Sequence, residues 1–108
     1  MTVKELAQKL ELKLLCEGDT ERLCEGCYSG DLLSWVMSRA KDCDIWLTVM
    51  GNVNSVAVAV LTDCACVVLT ENSPLDDTAK EKAVQQGITF LSSEKNAYEL
   101  SVEISGLI

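Results

Sequence analysis

The apolar positions change period along the chain, from helical stripes to continuous runs and back. Thr2 and Glu5 form a Thr-x-x-Glu capping box. Behind it Leu6 and Leu10 lie one turn apart, with Lys4, Gln8 and Lys9 elsewhere, which predicts a first helix. Residues 13–16 read as a short strand, and Glu17, Gly18, Asp19 and Thr20 as the turn after it. Residues 22–28, interrupted by Gly26, read as a strand running into a loop. A second helix is expected to open at Ser29 or Gly30, with Asp31 near its positive end and Leu32, Leu33, Val36, Met37 and Ala40 as its stripe. Residues 45–49 are short, apolar and rich in strand formers.

Residues 52–63 carry two patterns. Val56, Val58 and Val60 alternate with Ala57 and Ala59 as in a half-buried strand, yet the segment is long and starts with a capping asparagine. Length decides for a helix, with Val53, Val56, Ala57, Val60 and Leu61 on the expected inner face. Residues 65–69 form a continuous apolar strand; a helix opening at Ser73 and Pro74 runs to Gln86 and stops at Gly87. A strand over 88–91 and a helix over about 95–105 complete the chain. Strand then helix thus repeats from 45 to 105, the pattern of a mainly parallel sheet. Because the strands lack alternation, both of its faces are expected to be covered. The expected fold is a single α/β domain over 1–108, a three-layer sandwich with helices on both faces of the sheet.

Composition narrows the function. About 48% of the residues are hydrophobic, enough for one core without staples. The aromatic residues are two Trp, two Tyr and one Phe, so aliphatic side chains must fill most of that core. Seventeen acids against nine bases give a net charge of −8, and no basic cluster is present to neutralise phosphates, so no nucleic-acid partner is expected. Charged residues interrupt residues 1–15, and the least polar stretch, 53–69, contains Asn54, Ser55, Thr62 and Asp63. Neither reads as a signal peptide or a membrane span, so the expected location is the cytoplasm, with no membrane partner.

Histidine is absent, which removes the commonest general base and metal ligand. No phosphate-cradling glycine motif is present either, so no cofactor is expected and no catalytic residue is assigned. The six cysteines leave two readings. In a reducing cytosol they are free, small and buried. Alternatively Cys24 and Cys27, at Cys-x-x-Cys spacing, join Cys64 and Cys66 in a thiolate metal or iron–sulfur site, or form a redox pair by themselves.

Residues 21–37, followed by Trp46, Leu47, Thr48 and Val49, by 52–63 and by 81–91 with Gly87 and Ile88, resemble the DRTGG domain family. Gly26, Tyr28, Gly30, Asp31, Leu32, Leu33 and Ser34 match that family's signature region, while Glu25 and Cys27 replace its threonine and second glycine. The resemblance implies an accessory module of the kind that accompanies phosphate acetyltransferases and CBS-containing pyrophosphatases, with a fold related to the N-terminal domain of the HPr kinase. A free-standing copy would be a non-catalytic regulatory or scaffold domain, a homodimer, with a metabolic enzyme or a small molecule as partner.

Candidate ligand residues fall in two groups. Gly26, Tyr28, Ser29, Gly30 and Asp31 precede a helix, where free N–H groups suit a small anion or nucleotide, though Ser29 and Asp31 also read as helix caps. Thr48, Asn52 and Asn54 follow a strand end, where open α/β sheets bind ligands, though both asparagines also read as caps. Tyr28, Trp35 and Trp46 read either as an exposed self-association patch or as core.

Overall fold

A computed structural model describes residues 1–108. In chain order the elements are α1 (Val3–Lys9), β1 (Lys13–Cys16), β2 (Gly26–Ser29), α2 (Leu33–Arg39), β3 (Asp44–Thr48), α3 (Val53–Thr62), β4 (Cys66–Leu69), α4 (Asp77–Gln86), β5 (Phe90–Ser92) and α5 (Ala97–Ser105). One five-stranded sheet has the order β1-β5-β4-β3-β2. Strands β2 to β5 are parallel and β1 is antiparallel to β5, so the sheet is mixed.

From β2 to β5 each strand lies beside its predecessor in one unreversed direction. Right-handed crossovers in one direction place every connecting helix on one face. Accordingly Val36 of α2, Val56 and Ala59 of α3, and Ala79 and Ala83 of α4 share a buried cluster with Trp46, Val67, Leu69 and Phe90. On the other face Val3 and Leu6 of α1 and Leu100 and Ile104 of α5 meet Ile45, Leu47, Cys66, Val68 and Leu91. Successive strand residues thus feed opposite layers, the two-residue period of a strand. The expected three-layer α/β architecture is present, and Trp46 is core.

Several element starts differ from the expectation, β2 beginning at Gly26 rather than at residue 22. Helix α2 begins at Leu33 rather than at Ser29 or Gly30, because residues 26–29 are recruited as edge strand β2. Helix α4 begins at Asp77, three residues past Pro74, since Asp76 supplies the cap: its side chain accepts from the Ala79 N–H at 2.7 Å. Before it, the Cβ that any larger residue would carry at Gly51 would lie 2.0 Å from the Pro74 carbonyl oxygen, so the two loops touch only because Gly51 has no side chain. Strand β5 begins at Phe90 rather than at Ile88, although the Thr89 carbonyl before it already accepts from the Val67 N–H of β4 at 2.9 Å.

Helix α3 is helical as expected but faces the other way. Its buried residues are Ser55, Val56, Val58, Ala59 and Thr62, while Val53, Ala57, Val60 and Leu61 are exposed. Ser55 and Thr62 are admitted to the interior because they bond locally, Ser55 Oγ to the Met50 carbonyl and Thr62 Oγ1 to the Val58 carbonyl.

The connection from β1 to β2 joins opposite edges of the sheet. Residues 17–25 cross beneath the N-terminal ends of the parallel strands, fastened at each step. The Gly18 N–H bonds Thr89 Oγ1 at 2.9 Å, and a Cβ on Gly18 would lie 2.1 Å from the Gly87 carbonyl oxygen. The Arg22 guanidinium bonds the Asp63 carboxylate at 2.8 Å and the Asp63 carbonyl at 2.5 Å, with Cys43 Sγ at 3.8 Å. The Glu25 N–H bonds the Cys43 carbonyl at 2.9 Å. From above, Val3, Lys4 and Cys24 tie the start of the chain to the same strap through Val3 N–H to Arg22, Lys4 N–H to Thr20 and Cys24 N–H to Met1.

The Arg22 guanidinium holds the Asp63 carboxyl below the usual carboxylate range. A lowered folded-state value means stability that is present at neutral pH and lost as pH falls through that value. Replacing Arg22 with Ala should cost about 1–2 kcal/mol in urea unfolding at pH 7, for a partly exposed pair plus a charged hydrogen bond to a carbonyl. The part of that cost owed to Asp63 should vanish in acid, so the wild-type and Arg22→Ala midpoints should converge below about pH 4. Midpoints that stay equally far apart would remove the ion pair from the account.

Candidate functional site

The structure separates the sequence-derived ligand residues to the two ends of β2 and β3. At the C-terminal end Asp31 neither caps α2 nor stands free. Its Oδ1 accepts from Thr48 Oγ1 at 2.8 Å and from the Val49 N–H at 2.9 Å, and Thr48 Oγ1 accepts in turn from the Met50 N–H at 3.2 Å. The Gly30 carbonyl accepts from the Trp46 indole at 2.9 Å, and the Gly30 N–H bonds the Leu47 carbonyl. Asn52 caps α3 through Ser55 N–H at 3.1 Å. Asp31, Thr48 and Asn52 are therefore brought together with their polar atoms turned on the protein itself. Ser29 is an exposed edge-strand residue and Asn54 an exposed residue of the first turn of α3, and neither joins them.

At the N-terminal end Gly26, Cys27 and Tyr28 line a cleft of ≈ 500 Å³ with Glu25, Arg39, Lys41, Asp42 and Asp44. Edge strand β2 forms its floor, and the end of α2 with the turn into β3 forms its wall. Asp44 is buried and accepts from the Lys41 N–H at 2.8 Å; its other oxygen would lie 2.5 Å from any Cβ on Gly26. Gly26 is thus required by contact with Asp44. Arg39 lies with its guanidinium carbon 3.7 Å from the centre of the Trp35 ring, a cation–π stack that, with a bond from Arg39 Nη1 to Ser38 Oγ at 3.1 Å, holds it in place while leaving its other donors unpartnered. The cleft so joins two cations, an aromatic hydroxyl and two uncommitted acids, Glu25 and Asp42.

Only Gly26 and Tyr28, together with Cys27, were visible as candidates from the sequence. Arg39, Lys41 and Asp42 were passed over, although a run of charges directly after a helical stripe is the available signal for a polar turn. Of the two readings of Tyr28, Trp35 and Trp46, the core reading holds for Trp46, which is fully buried, whereas Trp35 is half exposed and paired with Arg39, so the three do not form one exposed patch.

Five of the six thiols lie near this end of the sheet, on or beside the starts of β2, β3 and β4. Cys24 and Cys66 share the buried layer beneath α1 and α5, while Cys64 belongs to the opposite layer. Cys27 is on the exposed edge strand. No three Cys, Asp or Glu side chains are arranged to hold a metal ion. Cys24 and Cys66 are both free thiols, and their hydrogen-bonding proximity lowers the first while, with burial, it raises the second. Burial pushes Cys64 up to about 12, and burial with the Asp44 carboxylate pushes Cys27 up to about 11.

No family model matches the sequence, and no curated protein matches it. Among solved structures, the chain is similar to the CBS and DRTGG domains of the regulatory region of Clostridium perfringens pyrophosphatase, determined in complex with the activator diadenosine tetraphosphate. The TM-score is 0.71 at 9% identity, over 94% of this chain and 44% of that one. The chain therefore spans less than half the length of that structure, and at this identity the likeness shows the fold, which is DRTGG-like. No helix of the chain is long and apolar enough to cross a membrane.

Thiol reactivity follows the thiolate fraction, and a group at about 11 is ionised roughly one part in a thousand at pH 8. In the folded chain Cys27, despite its exposure, should react with iodoacetamide at least tenfold more slowly than a free cysteine. Cys64 and Cys66 should react only after denaturant is added. Peptide mass spectrometry after timed labelling checks both, and fast labelling of Cys27 would refute the crowded, acid-flanked setting described here.

Proposed function

We propose that this chain is a non-catalytic regulatory domain of the cytoplasm that binds a small ligand and works as a homodimer or beside a metabolic enzyme. One observation carries the reading: nearly the whole chain shares its fold with part of an enzyme's regulatory region, a region that in that protein is complexed with a nucleotide activator. The absence of histidine and of any phosphate-loop motif supports the same view.

The cleft at the base of β2 is the proposed ligand site. Arg39 and Lys41 supply positive charge in a chain that is otherwise strongly acidic, and Tyr28 supplies a ring and a hydroxyl. Glu25 and Asp42 beside them limit how much negative charge the cleft accepts. Asp31, Thr48 and Asn52 serve this site from a distance: they fix the ends of β2 and β3, and with them the floor of the cleft.

Nucleotides are the first ligand class to test. A ligand at a hundredfold excess over its Kd adds about 2.7 kcal/mol to folding, which in a domain of this size raises Tm by roughly 10 °C or more. The expected result is such a rise for at least one nucleotide, accompanied by a change in Trp35 fluorescence as Arg39 engages the ligand. Arg39→Ala should abolish both responses while leaving the unliganded Tm nearly unchanged, and Tyr28→Phe, which keeps the ring packed on the core and removes only its hydroxyl, should weaken both. A rise that survives both substitutions would move the site elsewhere, and no rise with any nucleotide would exclude that ligand class.

A further inference from the structure

We infer that the outer face of α3 is the surface through which two copies of this chain associate. The inference deepens the homodimer part of the reading above and rests on it. Helix α3 has no charged residue in ten, and its polar residues are Asn54 in the first turn and Ser55 and Thr62 on the buried side, so its outer face is mostly apolar, as in a helix that is covered on both sides. In the chain it is covered on one side only. Its outer stripe, Val53, Ala57, Val60 and Leu61, follows the i, i+4, i+7, i+8 spacing of a helix–helix seam, with Leu61 71% exposed and Val60 43% exposed. These residues line one shallow apolar groove with Lys82 and Gln86 of α4.

Charge admits a second copy as the occupant. The chain carries −8, so two copies repel across their acidic loops. Helix α2 carries Arg39, α3 no charge, and α4 balances Asp77 and Glu81 against Lys80 and Lys82, so these helices together carry +1. On the opposite face α1 carries +1 and α5 −2, a sum of −1. Two copies can therefore bring their α2–α4 layers together with little repulsion between the helices, and the apolar stripe lies in that layer.

Area and position agree. Helix α3 is the middle helix of its layer, packed between α2 and α4, so a two-fold axis across it pairs the stripe with itself. Leu32, Trp35 and Val84 on the flanking helices are also half exposed or more. With the α3 stripe they offer on the order of 500 Å² of apolar surface, the apolar share of a standard interface of about 800 Å² per partner. Ala57 at the middle of the stripe lets the helices approach closely.

The test is the mass of the full chain in solution by sedimentation equilibrium, from micromolar to several hundred micromolar. The expected result is a dimer for the wild type, with the dissociation constant raised at least tenfold by Leu61→Glu and by Val53→Glu. Both positions are exposed, so Tm and circular dichroism should stay near wild type; having two variants guards against one that folds poorly. Val102→Glu, on the exposed side of α5, should leave the dimer intact. A dimer indifferent to both α3 variants overturns the inference while leaving the homodimer reading standing. A wild type monomeric throughout overturns both, and a mass that grows beyond the dimer overturns the two-fold pairing.

Discussion

The arrangement depends on one short crossing. The chain leaves β1 at one edge of the sheet and must begin β2 at the other, four strand spacings away, or roughly 19 Å. Residues 17–25 do this with at most about 30 Å of extended reach, so they run almost straight beneath the strands. Their path takes them past three helix-to-strand turns in reverse order: Gly18 at the end of α4, Arg22 at the end of α3 and Glu25 at the turn after α2. Each turn is made by a residue with positive φ, Gly87 at 69°, Asp63 at 55° and Cys43 at 65°. The strap takes the Asp63 and Cys43 carbonyls so presented as acceptors, while at Gly87 it packs against the carbonyl and bonds Thr89 Oγ1 beyond it. At Asp63 and Cys43 the αL conformation costs more than at glycine, and the bonds from Arg22 and Glu25 offset that cost. The same segment holds the first residues of the chain, so one strand-to-strand connection fixes three turns and a terminus.

The unreversed strand order also decides where a ligand site can lie. Ligand crevices in doubly wound sheets open where neighbouring strands send their helices to opposite faces. Strands β2 to β4 send theirs to one face and β5 sends α5 to the other, so a crevice of that kind opens only between β4 and β5, where Asn72, Ser93 and Lys95 line a cleft of ≈ 230 Å³, and none opens at the C-terminal ends of β2 and β3. The polar residues gathered at those two ends close on the protein instead, with Asp31 on Thr48 and Asn52 on α3. Beside β2 and β3, open polar space lies at the other end and at the free edge, where β2 has a neighbour on one side only.

Much of this was legible along the chain, and the illegible parts share a cause. Element order and the two-faced sheet follow from apolar runs that only a doubly covered strand explains, as in residues 45–48 and 66–69. Helix α1 begins at the capping box read from Thr2 and Glu5, because a cap is a local bond; the same signal at Asn96 and Glu99, which opens α5, was passed over. The starts of β2 and α2 were not legible because tertiary partners set them. Tyr28 and Ser29 are strand only through β3 alongside, and Asp31 abandons the helix for Thr48 and Val49. The inward face of α3 was misread for a sharper reason. Periodicity finds the most apolar stripe and assigns it to the core, yet here Ser55 and Thr62 go inside, bonded to the backbone, and the more apolar stripe lies outside. The cleft was only half visible because Arg39, Lys41 and Asp42 meet Gly26 and Tyr28 through strand pairing, which spacing along the chain does not encode.

Helix α2 connects the two surfaces that the reading assigns. Its last residue, Arg39, lines the cleft, and the helix packs against α3. It is also the least anchored of the helices. It has seven residues, one of them buried, and no side-chain cap at its start, whereas the other four helices are each capped by a side chain. Segments with few buried contacts and unsatisfied ends open and shift at the lowest cost. A ligand that draws Arg39 off Trp35 acts directly on this helix, and Trp35 stands on the side of the layer that a second copy would approach. Ligand and partner would then bias one weakly held element rather than communicate through the sheet, whose strands are buried and pinned at both ends. Such coupling is reciprocal: whatever factor a ligand adds to dimer affinity, the dimer must add to ligand affinity. On the proposed reading, that linkage is the physical content of the word regulatory.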